Sequence, residues 1–179
     1  KLPELKIGEK VATVPIVQGG MAIRLSTARL AASVANEGGV GSLLLPAAFD
    51  ELRKEIRLAR KLSNGKGMIG INAMVAAREF KGSLLRQHRE KVDLIVAGAA
   101  FPEICFPSAR NMGFPLFQLF PMPNLRKLLN AWALPLLLWK GTEAGGHLGT
   151  QRSIKDILPE ILSVVKIPVI AAGRRHHGQ

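Results

Sequence analysis

The sequence predicts an α/β fold built on parallel strands. Short apolar runs alternate with segments whose apolar residues recur at helical spacing. Glycine pairs at 19–20, 38–39 and 145–146 punctuate the junctions. The chain has 179 residues, 47% of them hydrophobic, which suits one domain with a core of its own.

Seven apolar runs read as strands: 14–18, 40–45, 67–74, 92–97, 114–119, 134–139 and 167–172. The first ends in Gly19-Gly20-Met21. A helix follows, with Ser26 or Thr27 as N-cap and Leu30, Ala31, Val34 and Ala35 as its apolar stripe. Gly38-Gly39 stops it. Asp50 is the expected cap of a second helix that buries Leu52, Ile56, Ala59 and Leu62 and ends at Asn64-Gly65. Residues 76–91 place Phe80, Leu84, Leu85 and His88 on one face. Asn124 begins a helix with Leu125, Leu128, Leu129 and Trp132. Ser153 and Asp156 form a capping-box pattern, and Pro159 is expected to start a second helical turn. These Leu and Ile stripes are core and carry no chemistry.

Lys and Arg number 25 against 13 Asp and Glu, a formal net charge of +12. A nucleic-acid partner is not expected. The chain has no recognised binding motif, no Tyr and few aromatics on which bases could stack. The basic residues of 53–66, 78–91 and 126–127 read instead as solvated helix faces. No stretch approaches the roughly 20 apolar residues of a membrane span. The longest apolar run, 131–139, contains Pro135. Cys105 is the only cysteine, so no internal disulfide forms and a cytoplasmic location fits. Flanked by Ile104 and Phe106, it reads as a packed thiol. His176 and His177 have no second ligand cluster, so no metal site is expected.

The most informative stretch runs from Lys140 to Ser153. A strand ending in Glu143-Ala144-Gly145-Gly146-His147-Leu148-Gly149 sets one imidazole in a loop almost without side chains. Missing Cβ atoms let a planar ligand lie against backbone amides. A flexible turn with an exposed His is the alternative on spacing alone.

Six blocks occur in order: Pro15 to Met21, Leu30 to Gly41 (LAASVANEGGVG), Ile69 to Val75 (IGINAMV), Val92 to Gly98 (VDLIVAG), Glu143 to Gly149 (EAGGHLG) and Ile167 to Gly173 (IPVIAAG). Together they resemble the nitronate monooxygenase (2-nitropropane dioxygenase) family, to which flavin-dependent enoyl-acyl-carrier-protein reductases are related. Leu2 to Gly8 also resembles family N-termini. The resemblance implies a TIM-barrel-like parallel (β/α) barrel, incomplete here at about seven strands, over residues 1–173. It implies FMN across the C-terminal mouth of that barrel. By resemblance Gly19, Gly20, Met21, Asn72, Ala144, Gly145, Gly146 and Gly173 bind the cofactor, and His147 is catalytic. A neutral His can take the α-proton of a nitroalkane.

The chain departs from the family at Lys140, where relatives carry an acidic residue. It also departs at Ala100, at Phe117 to Pro121, and at Arg174, which replaces a glycine of the phosphate turn. The tail 174–179 resembles no part of the family, and the later Gly-Thr turn is not in the sequence. Three functions follow from the resemblance. One is FMN-dependent oxidation of alkyl nitronates by oxygen to a carbonyl compound and nitrite. The second is an NAD(P)H-dependent enoyl-thioester reductase. The third is a non-catalytic truncated barrel with impaired flavin binding. The expected partner is a small molecule, a nitronate or an enoyl thioester, and a homo-oligomer is compatible with each.

Overall fold

The computed structural model describes residues 2–21, 24–44, 49–74, 90, 92–98, 116–118, 136–145 and 151–173. The expected helices at 76–91 and after Asn124 lie outside them, as do Cys105, Gly146, His147 and the tail. The chain divides into two compact units, 1–116 and 117–179.

The first unit opens with a hairpin that the sequence analysis did not anticipate. Strands β1 (Leu5–Ile7) and β2 (Lys10–Ala12) pair antiparallel, with Ile7 opposite Lys10. Gly8 makes the two-residue turn at φ +58, a conformation that L side chains rarely adopt. Leu5, Ile7 and Ala12 are buried.

The expected strand 14–18 is reduced to one parallel bridge, Val17 to Val40. Gln18 N–H donates to the Val40 carbonyl at 2.9 Å and Val40 N–H to the Ile16 carbonyl at 2.9 Å. The next donor along, Ser42 N–H, goes to the side-chain Oε1 of Gln18 at 2.8 Å. The side chain thus takes the place of a carbonyl, and the ladder stops.

Helix α1 spans Ala28–Asn36. Its N-cap, Thr27, makes no side-chain capping bond. The Ala28 N–H is met instead by Glu55 Oε2 at 2.6 Å. The buried face is Ala28, Ala31, Ala32 and Ala35, whereas Leu30 and Val34 of the expected stripe are half-buried. Close packing on the next strand explains the shift. A Cβ on Gly41 would lie 2.5 Å from the Ala31 carbonyl carbon, so only small residues fit beneath the helix. The helix ends as expected at Gly38, with φ +89. Gly38 N–H donates to Ala35 O and Gly39 N–H to Val34 O, the paired bonds of a Schellman motif.

Strands β3 (Val40–Leu44), β4 (Met68–Met74) and β5 (Leu94–Gly98) are parallel and in register. Helix α2 (Phe49–Leu62) connects β3 to β4. Leu52, Ile56 and Ala59 face the core, but Leu62 is exposed. Asp50 lies within the first turn of the helix and is not its cap. With Glu51 it complements the helix dipole there, as Arg60 and Lys61 do in the last turn. The ends of α1 and α2 are clasped by two asparagines. Asn36 Nδ2 donates to Leu62 O at 3.1 Å, Asn64 N–H to Asn36 Oδ1 at 2.7 Å, and Asn64 Nδ2 to Asn36 O at 3.3 Å.

The basic face of α2 is exposed, as expected, but it is also ion-paired. Arg53 and Arg57 converge on Glu90, each with Nε at 3.0 Å from a carboxylate oxygen. The hydrogen bond and charge of Glu90 hold the Arg57 guanidinium above its ordinary pKa. Arg60 reaches the buried Asp93 at 2.9 Å, and Lys10 reaches it at 3.5 Å. Asp93 also accepts from Ile69 N–H at 2.8 Å, fixing the start of β4 against the start of β5.

A short strand, β6 (Leu116–Gln118), stands where the two units divide. In the second unit β7 (Leu137–Lys140) pairs parallel with β8 (Val169–Ala172), and helix α3 (Ile154–Val164) lies between them in sequence. Leu137, Trp139, Ile154, Ile157, Ile161 and Val165 form the core, with Ile167, Val169 and Ala171 against it. Each such aliphatic side chain, fully buried, contributes about 1.5–3 kcal/mol. Helix α3 runs through Pro159 without a break, so the proline sits in its second turn and does not interrupt it, as expected. The expected capping box does not form as written. Ser153 Oγ accepts from Lys155 N–H at 3.2 Å, and the remaining capping comes from outside the helix. Parallel βα units are therefore present as expected. The described strands nevertheless fall into three sheets rather than one ring.

Candidate functional site

Ligands of parallel α/β folds bind where the strands end in their carboxyl termini. The described residues among those singled out from the sequence stand at such ends in both units.

In the first unit Gly19, Gly20 and Met21 follow the bridged segment, and Asn72 lies near the end of β4, between Leu44 of β3 and Val96 of β5. Asn72 and Gly20 are in direct contact. A Cβ on Gly20 would lie 2.5 Å from Asn72 Cβ, so the missing side chain at 20 serves Asn72. Gly19 has open space around its Cβ position, and Met21 is exposed.

The loop is held from behind by two residues that sequence reasoning did not select. Gln18 Nε2 donates to Gly19 O at 2.5 Å and to Ser26 Oγ at 3.3 Å, while its Oε1 takes the Ser42 N–H. Ser26 Oγ accepts from Met21 N–H at 2.9 Å, so Ser26 fixes the loop instead of capping α1. A Gln just before a Gly-Gly pair, with a Ser a few residues on, was the available signal.

This strand end of the first unit fits the edge of a planar heterocycle. The Asn72 carboxamide offers one acceptor and two donors. The space at Gly19 admits a flat group against the backbone, and the braced loop presents it in one conformation.

In the second unit β7 leads into Gly141 to Gly145, and β8 leads into Gly173. Glu143 ties this end together. Its carboxylate accepts a short hydrogen bond from Ser153 Oγ and another from Ile154 N–H at 3.1 Å, at the start of α3. The bond from Ser153, followed by backbone donors, holds the Glu143 carboxyl below the usual carboxylate range. Gly141 leaves room for this carboxylate, and Gly173 lies beside it. A Cβ on Gly141 would lie 2.5 Å from Ile154 N, and one on Gly173 would lie 3.6 Å from Glu143 Oε2. Thr142 N–H donates to Arg152 O, and Ala144 N–H to Gly141 O. Lys140, the reversed charge of the sequence analysis, donates from Nζ to Gly145 O at 2.7 Å. Burial pushes its pKa down. Gly145 itself has open space around its Cβ position.

The structure thus brings Gly19, Gly20, Met21 and Asn72 together in one unit. It brings Ala144, Gly145 and Gly173 to neighbouring strand ends in the other. Gly146 and His147 lie outside the described residues. Among the described residues, no group of three or more His, Cys, Asp or Glu is placed to hold a metal. No described helix is long and apolar enough to cross a membrane.

Residues 5–101, more than half of the chain and including both Gly20 and Asn72, match the nitronate monooxygenase family. The chain belongs to that family. Its members are flavin-dependent oxidoreductases acting on small molecules. A probable nitronate monooxygenase of Staphylococcus aureus is 26% identical, covering 89% of this chain and 57% of the relative. That alignment runs over 211 residues, longer than this chain, so the relative carries segments that this chain lacks. The (3aS,4S,5R,7aS)-5-hydroxy-7a-methyl-1-oxo-octahydro-1H-indene-4-carboxyl-CoA dehydrogenase of Rhodococcus jostii is 28% identical, over 92% of this chain and 46% of the relative. The chain spans about half the length of these curated relatives.

Among solved structures, FabK from Thermotoga maritima matches with a TM-score of 0.78 at 27% identity, covering 88% of this chain and 50% of that one. The nitroalkane oxidase of Streptomyces ansochromogenes matches in fold, with a TM-score of 0.71 at 23% identity over 88% of this chain and 57% of that one. These neighbours have TIM-barrel-like folds.

Proposed function

We propose that this protein works as an FMN-dependent oxidase of alkyl nitronates, with oxygen as acceptor and a carbonyl compound and nitrite as products. The contact between Gly20 and Asn72 at the strand ends, inside the family match, is the observation that carries this reading. FMN, when bound, supplies the electron transfer between nitronate and oxygen. Residues 1–173 form the flavin-binding part, and 174–179 stand outside it.

The chain's own residues then have distinct tasks. Gly19, Gly20, Met21, Ala144, Gly145, Gly146 and Gly173 offer backbone at close range. Asn72 presents its carboxamide to a polar edge of the ring system. His147 takes the α-proton of a neutral nitroalkane. Arg174, in place of a glycine, offers a charged donor to phosphate but not a glycine's backbone conformation.

The test is His147→Ala. Flavin content should be nearly unchanged, because backbone and not imidazole holds the cofactor. Rates on a neutral nitroalkane should fall by roughly 10²–10⁴, the contribution of a general base. Rates on the preformed nitronate should fall less, because its α-proton is already gone. Equal losses on both substrates would remove the proton-abstraction role.

A second reading, reduction of an enoyl thioester by NAD(P)H, is favoured by the likeness to FabK and by the CoA thioester named for the Rhodococcus relative. Anaerobic oxidation of NADH dependent on an enoyl thioester would select it. Colourless protein that takes up no FMN would select the third reading, a non-catalytic scaffold.

A further inference from the structure

We propose that Glu143 is a positioning residue that locks the loop after β7, and with it the flavin-facing backbone at Ala144 and Gly145, onto the start of α3. This rests on the reading of that loop as part of a flavin site. Three segments meet at one carboxylate. The loop supplies Glu143 itself. Helix α3 supplies Ser153 Oγ–H and Ile154 N–H, both donating to it. The turn after β8 brings Gly173 alongside, where a Cβ would stand in ordinary van der Waals contact with Oε2 at 3.6 Å.

The arrangement is matched at the other end of the loop. Lys140 Nζ holds Gly145 O, and Ala144 N–H closes back onto Gly141 O. Residues 141–145 are therefore pinned at both ends by side chains from the loop's own strand and tip. An ionised Glu is the right group for this place. A carboxylate accepts several donors at once and is favoured at a helix N-terminus. Its presence also fills the anion position at the start of α3. A flavin phosphate is therefore not held at that helix end, and the loop backbone is what this unit offers to the cofactor.

The test uses the full chain and its E143A, E143Q and S153A variants. Hydrogen–deuterium exchange reads the loop directly, without flavin. In E143A the amides of 141–145 and of Ile154 should exchange about tenfold faster, with the interior of α3 and β7 unchanged. S153A should give a smaller increase. E143Q should fall between E143A and the parent, since its one amide oxygen can still accept from Ile154 N–H. FMN titration, followed by flavin fluorescence, should show the same order of weakening, about tenfold for E143A. Unchanged exchange in 141–145 would overturn the proposal. So would a uniform rise across the unit, which is the mark of a residue that only stabilises the fold. Faster loop exchange with unaltered FMN affinity would overturn the positioning role. If the parent chain takes up no FMN, the flavin reading fails, while the exchange experiment still decides whether Glu143 locks the loop.

Discussion

The side chain of Asn72 occupies the space that any side chain on Gly20 would need. Both its Nδ2 and its Cβ would overlap a Cβ placed there, far inside van der Waals contact. Gly20→Ala should therefore push Asn72 away from the strand end or move the loop. Overpacking of this kind costs about 1–3 kcal/mol. Asn72→Ala should not rescue it, because the overlap includes Asn72 Cβ, whereas Asn72→Gly should. Urea midpoints of the parent, of Gly20→Ala and of the two double variants provide the check. Equal rescue by both substitutions at 72 would dismiss the contact.

Gln18→Leu keeps the size of the side chain and removes its polar end. Ser42 N–H, fully buried in β3, would lose its acceptor. A buried donor left unsatisfied costs about 1–3 kcal/mol. The Gly19 to Met21 loop would lose its brace in the same change. We expect lower stability in denaturant and weaker FMN binding together. Loss of stability with unaltered flavin affinity would confine Gln18 to the strand ladder.

Asp93→Asn tests the opposite end of the same sheet. Asp93 accepts from Ile69 N–H and faces Arg60 and Lys10. The amide can keep one acceptor but brings donors toward two cations. Stability should fall by about 1–3 kcal/mol. Flavin affinity should stay the same, because the proposed site lies at the carboxyl ends of the strands. A denaturation curve and an FMN titration on one preparation would show both.

Acid should weaken the Glu143 lock. Its folded-state pKa lies below its unfolded value of about 4.3, chiefly through Ser153. The stabilisation is full above the unfolded value and is lost as pH falls through the folded one. Thermal midpoints of the parent should therefore drop more steeply than those of E143Q from about pH 5 to about pH 3. Parallel slopes would show that another carboxylate carries the acid dependence.

The strands β3, β4, β5, β7 and β8 were legible because each is an apolar run bounded by glycine or charge. The β1–β2 hairpin was not. Its strands have three residues each, and alternation over Leu5 and Ile7 alone is too short to register. The apolar face of α1 differs from the expected stripe at two of its four residues, Ala31 and Ala35 being buried as expected. Helical spacing also put Leu30 and Val34 in it, but these are half-buried, because the approach of Ala31 to Gly41 brings the alanine face down on β3. The glycines and Asn72 were named through the family resemblance, and the structure brings Gly20 against Asn72. Glu143, Gln18 and Ser26 act on partners that only the folded chain brings near. The same holds for Arg53, Arg57 and Arg60, whose counter-charges at Glu90 and Asp93 lie a full βα unit away.

The asparagine clasp between α1 and α2 sets a limit on shelf life. Asn64 is followed by Gly65, which has φ +79 and no side chain to shield the intervening peptide. Such pairs are where an asparagine carboxamide is most readily attacked by the next backbone nitrogen and hydrolysed to an acid. Here that ageing reaction would exchange the Nδ2 that donates to Asn36 O for an oxygen facing another oxygen. A single mass unit gained at Asn64 would thus remove one of the clasp's three hydrogen bonds, and stored protein would lose heat resistance in step with the fraction so converted.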